Sequence, residues 1–283
     1  MLLRVPVSGR TVSVVAAAIV AVMLPGASLA QTTPAAQPPA PAAAAKPDPS
    51  LPSGREVIEK FVKAIGGRDA VMSHKSMHVT GKYEVPASGL SGEMEIFTAA
   101  NPNRAVQRVT IPGVGEVVQG FDGERGWSIN PMTGPMLQQG KELEQAKLDA
   151  DFYNELRDAK NYKSITTLAK TDCPMSSEPA PADVRSCYKV SLVRSDGLED
   201  FDFYDTQTGL RVASIQTRES PMGAVQSTNI EGAYKKFGNL LQPTSLIAKV
   251  MGVEQKITVS TIEYDTVPAS AFEPPAAIKA LIK

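Results

Sequence analysis

The chain has 283 residues, 29 basic and 30 acidic, with 22 prolines, 21 glycines, and only two histidines and two cysteines. A formal charge of −1 lacks the basic excess with which nucleic-acid binders hold phosphates, and the His and Cys counts leave too few ligands for a metal centre built from them. The residues spell out no reaction, but they do indicate a compartment and an architecture.

Met1–Ala30 reads as a secretory signal: Arg4 and Arg10 form a basic start, Val14–Leu24 an unbroken apolar run, and Ser28 and Ala30 the small residues that a signal peptidase reads. The run falls short of the roughly 20 apolar residues that span a bilayer. Cleavage after Ala30 is therefore expected, giving a periplasmic or secreted product that is not transmembrane. Residue 31 is Gln rather than Cys, which argues against a lipid-modified start at this junction. Residues 31–52 hold seven prolines and seven alanines, a composition that favours extended, solvated backbone over a packed core. This is a spacer, and residues 53–283 are expected to form a single β-rich domain.

That domain opens on a helix. Ser53 and Glu56 stand at capping-box spacing, Val57, Ile58, Phe61, Val62 and Ile65 recur on one face, and Gly66-Gly67 ends the run. A shorter helical turn is predicted over Asp69–His74. The pattern then changes to period two, predicting five strands in a meander from Met77 to Ile129, with Pro112-Gly113 and Asp122-Gly123 as turns. Lys141–Arg157 carries a helical pattern that breaks near Asp149. Strands resume at Tyr162–Asp172, Ser186–Val193, Glu199–Tyr204, Leu210–Thr217, Ala224–Tyr234, Leu240–Val250 and Glu254–Tyr264. The last changes parity near Thr261, where a bulge is expected. Pro274-Pro275 precedes an apolar tail, Ile278–Ile282. About 11–12 short strands in hairpin succession mean an α+β fold, mainly β: a curved antiparallel half-barrel with helices covering its concave side.

Cys173 and Cys187 flank a loop bearing Pro174, Pro179 and Pro181, and in an oxidising envelope they are expected to form one disulfide rather than a redox pair. Catalytic signatures are scarce. Gly113-Val114-Gly115 resembles the start of a dinucleotide loop but joins two strands, so it reads as a hairpin. His74 and His78 are four apart, a metal spacing only on a helix, and are expected to face solvent. Asp200 and Asp202 alternate with Phe201 and Phe203, which predicts a solvated carboxylate face. The eight methionines beyond the signal, Met132, Met136, Met222 and Met251 among them, read as adaptable apolar lining, either loose core or ligand pocket.

Taken together, the signal, the N-terminal helix, the hairpin Phe121-Asp122-Gly123-Glu124-Arg125-Gly126-Trp127, the inserted helix and the hairpin Tyr204-Asp205-Thr206-Gln207-Thr208-Gly209-Leu210 resemble the bacterial outer-membrane lipoprotein-sorting (LolA-like) superfamily. The resemblance implies a half-barrel capped by helices around an apolar cavity that holds acyl chains. On that basis Met77, Met94, Phe97, Trp127, Leu143, Leu148 and Phe152 are candidates to line the cavity, with side-chain packing alone as the other reading. The expected function is a non-catalytic carrier or binder of a hydrophobic molecule or lipid, needing no cofactor or metal, with an envelope protein as a further partner. A structural module of an envelope complex is the alternative, and an unrecognised hydrolase a third.

Overall fold

A computed structural model describes residues 49–175, 185–220 and 223–282. The signal segment, most of the spacer, the loop with Pro179 and Pro181, and Met222 lie outside the described residues.

Helix α1 (Gly54–Ile65) starts as its sequence dictates. The Ser53 hydroxyl accepts from the Glu56 amide at 3.2 Å, and the Glu56 carboxylate accepts from the Ser53 amide at 2.7 Å. Both bonds satisfy donors that a helix start leaves without partners. Gly66 (φ 140°) then turns the chain out of the helix, and a short α2 (Arg68–Ser73) follows.

The strands come next: β1 (Ser76–Val85), β2 (Leu90–Ala99), β3 (Arg104–Ile111), β4 (Gly115–Phe121), β5 (Gly126–Asn130) and β6 (Gly134–Leu137). Helix α3 (Gly140–Asp149) and two single 3-10 turns, Asn154–Leu156 and Ala159–Asn161, interrupt them. The chain then runs through β7 (Tyr162–Asp172), β8 (Ser186–Arg194), β9 (Glu199–Asp205), β10 (Arg211–Ser220), β11 (Gly223–Gly232), β12 (Lys235–Phe237), β13 (Leu240–Gln242), β14 (Ser245–Val250) and β15 (Val253–Tyr264), and ends in α4 (Ala276–Lys279).

Thirteen strands make one antiparallel sheet in the order β6-β5-β4-β3-β2-β1-β15-β14-β11-β10-β9-β8-β7, and β12 and β13 form a separate hairpin. The sheet is strongly curled. α3 touches both β5 and β10, which lie eight strands apart in the order. Flat, that distance would be about 38 Å, whereas a ten-residue helix reaches only about 15 Å. The sheet does not close on itself: β6 and β7 are its free edges. The inner face is the one on which α1 packs, through Val57, Ile58, Phe61, Val62 and Ile65.

Three details differ from the sequence pattern. β6 was hidden because Pro135 and two flanking turns leave only four strand residues. The expected strand Leu240–Val250 is split at Pro243-Thr244, since proline cannot donate to a ladder. The bulge falls one residue from its expected position: Thr80 faces Thr261 and Gly81 faces Val259, so Ser260 is the extra residue. Gly81 is required at that point, because a Cβ there would lie 2.5 Å from the Thr258 carbonyl oxygen. β7 carries two further irregularities against β8, with Lys163 and Leu168 unmatched.

Candidate functional site

The inner face divides into two unlike halves. On β1, β2, β3 and β15 it is apolar: Met77, Val79 and Tyr83, Met94 and Ile96, Val109 and Ile111, and Ile257, Val259 and Ile262 are all buried in one cluster with the stripe of α1. Alternation in those strands and their pairing register bring these side chains to one side. On β8 to β11 the same face carries charge: Arg194, Asp200, Asp202, Arg211, Arg218 and Glu231.

The segment Ala150–Asn161 lies over both halves. Phe152 and Leu156 enter the apolar cluster. Its polar residues bind the charged half and the strand ends around it. Arg157 donates from Nε and Nη2 to Asp202 at 3.3 and 2.9 Å. Arg211 donates from Nη1 and Nη2 to Glu155 at 3.0 and 3.1 Å, and from Nε to both Glu231 oxygens at 3.0 and 3.1 Å. Asp151 accepts from Asn161 at 2.6 Å and from Asn103 at 3.3 Å. The Tyr153 hydroxyl donates to the His74 carbonyl at 3.0 Å, and Arg55 of α1 donates to the carbonyl of Arg157 at 2.8 Å.

A second set of ion pairs adjoins the first: Arg194 holds Asp149 and Asp196, each at 2.9 Å, and Arg218 holds Asp149 and Asp200, each at 3.1 Å. Asp149 ends α3, so these bonds fasten that helix to β8 and β10.

Burial and pairing pull the carboxyls in opposite directions. For Asp202, burial pushes upward, but Arg157 and Arg211, with the Tyr204 hydroxyl donating at 2.8 Å, outweigh it and hold the group below the usual carboxylate range. For Glu231, burial wins over Arg211 and the neighbouring Glu155 adds to it, so the group is raised. Asp200 is raised too, burial exceeding the pull of Arg218 and the Thr217 amide.

These aspartates correct the sequence reading. The alternation with Phe201 and Phe203 holds, but the carboxylate side faces inward, with Asp202 only 1% exposed. The phenylalanines face outward with the disulfide Cys173–Cys187, which bridges as expected. The histidines also depart from expectation, since neither is fully solvent-facing. His74 stacks on Tyr264 and bonds Asp265 at 2.6 Å, and His78 stacks on Phe97.

The seven candidate lining residues do not share one surface. Met77, Met94 and Phe152 meet in the inner cluster. Leu148 of α3 borders a cleft against the charged half, and Leu143 on the same helix is half-buried. Phe97 and Trp127 lie on the outer face, in a second cluster with Val106, Val118 and Leu137 that the C-terminal segment covers through Phe272 and Ile278. The inner face is filled by side chains. Its cleft, lined by Leu148, Arg157, Arg194, Asp200, Arg211 and Arg218 among others, encloses about 40 Å³, room for a few waters, against roughly 300–1,000 Å³ for pockets that hold organic ligands. Sequence reasoning missed the Arg157–Asp202 and Glu155–Arg211–Glu231 pairs. The available signal was an Arg and a Glu two residues apart in the inserted segment, opposite no partner that local spacing reveals.

The sequence matches no protein-family model, and no curated protein matches it. Solved structures do match. A DUF1329 family protein from Desulfovibrio piger aligns at 10% identity over 78% of this chain and 95% of its own, with a TM-score of 0.50. An outer membrane lipoprotein-sorting protein domain from Vibrio parahaemolyticus aligns at 10% identity over 78% and 96%, also at 0.50. A LolA superfamily protein from Nitrosomonas europaea aligns at 12% identity over 79% and 99%, at 0.49. At such identities the likeness is one of fold: the chain shares its curled half-barrel with the DUF1329 protein and the lipoprotein-sorting domain. Among the described residues no helix is long and apolar enough to cross a membrane.

Proposed function

We propose that the protein is a periplasmic or secreted binder and carrier of an apolar chain, a lipid or the acyl group of a lipoprotein, acting after removal of Met1–Ala30. The observation that carries this reading is the construction of the inner face: a continuous apolar floor under a segment fastened mainly by hydrogen bonds and ion pairs. An acyl chain would displace Phe152 and Leu156 and lie against Met77, Met94 and their neighbours. Each buried methylene is worth about 0.8 kcal/mol, so transfer from water needs neither cofactor nor chemistry. The fold shared with a lipoprotein-sorting domain supports the same reading.

The test is lipid extraction and mass spectrometry of the purified chain, together with titration of a fluorescent fatty acid. Bound lipid, or saturable binding near micromolar, is expected. A well-folded protein with neither would overturn the reading. A structural module of an envelope complex ranks second. It would use β7 as a docking edge, but the two irregularities in that strand make it a poor template for strand addition.

A further inference from the structure

From β6 to β14, one end of the sheet carries four hairpin tips: residues 86–89 between β1 and β2, 112–114 between β3 and β4, 131–133 between β5 and β6, and 251–252 between β14 and β15; the 195–198 tip between β8 and β9 closes at the same end, farther along the sheet. The pairings Val85 with Leu90, Ile111 with Gly115, Asn130 with Gly134 and Val250 with Val253 close them, and the antiparallel order places all four at the same end. Neighbouring tips stand two strands apart, about 10 Å.

The large exposed hydrophobic side chains concentrate there. Of the six such residues among those described, Met132 (54%), Met251 (64%) and Val253 (42%) are on or beside tips, and Met136 follows two residues into β6. In the sequence these methionines read as lining; in the structure they line nothing. A single exposed apolar side chain needs no partner, but four gathered at one end of a sheet mark a contact surface.

Two observations choose between occupants. A stable protein interface engages about 20–30 residues a side, whereas here a few apolar side chains stand on separate projections with polar backbone between them. Charge along these four tips is balanced as well, whereas the acidic excess near the 195–198 tip is tied into ion pairs with Arg194 and Arg218. Within four residues of the four tips stand Lys82, Arg108, Lys249 and Lys256 against Glu84, Glu93, Glu116 and Glu254. Arg108 pairs with Glu116 at 3.1 Å and Lys256 with Glu254 at 3.6 Å. An electroneutral rim with protruding apolar points complements a fluid surface of net-neutral lipid, into which each point can sink independently.

We propose that this end of the sheet docks on the surface of a lipid bilayer, with Met132, Met251 and Val253 entering the boundary between headgroups and acyl chains. Val114 of one tip packs against the inner cluster, but Met132, Met251 and Val253 do not belong to it, so docking and cargo binding can fail separately.

The test places an environment-sensitive fluorophore on Met251→Cys and, as a control at the opposite end, on Glu124→Cys, whose side chain is 76% exposed. The native cysteines are paired and do not compete for label. Vesicles of phosphatidylethanolamine and phosphatidylcholine should shift the emission of the first to the blue and leave the second unchanged, at low and high salt alike. Met132→Ser combined with Val253→Ser should weaken that response about tenfold without changing the melting temperature or the fatty-acid affinity. The proposal is overturned if position 251 gives no shift, if both positions shift equally, if the shift needs anionic lipid and disappears in salt, or if raising protein concentration without vesicles reproduces it, which would identify a second copy as the occupant.

Discussion

Arg211 is the residue on which the charged half turns, because among the described residues it alone bridges a strand-borne carboxylate, Glu231, and one from the covering segment, Glu155. Truncating one member of such a buried set leaves opposite charges stranded. Arg211→Met should therefore cost about 3–5 kcal/mol in urea denaturation, whereas replacing Arg211, Glu155 and Glu231 together by apolar residues of similar volume should recover most of the loss. If the single and triple replacements cost the same, the network is not holding charge against burial. Asp202 is the most deeply buried contributor to the acid dependence, alongside Asp205 and Asp265, which are also lowered. Its carboxyl is held below the ordinary range, so its contribution is present above the usual aspartate value of about 3.9 and is lost as pH falls through the lowered folded value. Glu231 and Asp200, both raised, act in the opposite sense: their contribution is present at low pH and is lost as pH rises. Asp202→Asn should lower stability at neutral pH and flatten its decline below about pH 4, read from urea midpoints across that range. Trp127 supplies a simpler check. Its ring covers Gly120, where a Cβ would come within 2.3 Å of it. Gly120→Ala should displace the indole, costing about 1–3 kcal/mol, and an unchanged tryptophan emission maximum would contradict that placement.

Among the elements, α1 was the most legible, because capping box, apolar stripe and terminal glycines all lie within one stretch of sequence. Ser53→Ala removes one of the two reciprocal cap bonds and should lower stability by about 1 kcal/mol; a thermal melt unaffected by the change would mean that α1 is fixed by packing alone. The strands were legible as strands for the same local reason. What could not be read was which side of a strand faces inward. In β9 the alternation of Asp200 and Asp202 with Phe201 and Phe203 defines two faces without ranking them. The ranking depends on Arg157, Arg194, Arg211 and Arg218, which come from four other places in the chain. Phe97 and Trp127 raise the same difficulty in an apolar setting: both faces of β2 and β5 are covered, one by α1 and the inserted segment, the other by the C-terminal tail, so hydrophobicity alone does not assign a side. The two Asp turns that looked alike in sequence are alike in structure. Asp122 accepts from the amides of Glu124 and Arg125, and Asp205 from those of Gln207 and Thr208.

At the scale of the molecule, the N-terminal half of the sheet is sandwiched between two covers, and among the described residues none forms an outer cover for the C-terminal half. There the disulfide ties β8 to the end of β7 within the outer cluster of Phe203, Val212 and Ala213. Closing a loop of this length is worth about 3 kcal/mol in the chain-entropy model. Cys173→Ser with Cys187→Ser should lose about that much, and reductant should destabilise the parent protein but not the variant. The irregularities of β7 then take on a different meaning. An open half-barrel exposes an eleven-residue edge at one side and only a four-residue, proline-bearing edge at the other. Left regular, the long edge would recruit the long edges of other copies and seed ordered aggregates. Lys163 and Leu168 each push the strand out of step, so no run of donors and acceptors stays in register for more than a few residues. Deleting both would remove that protection, and the chain should then remain soluble only at low concentration.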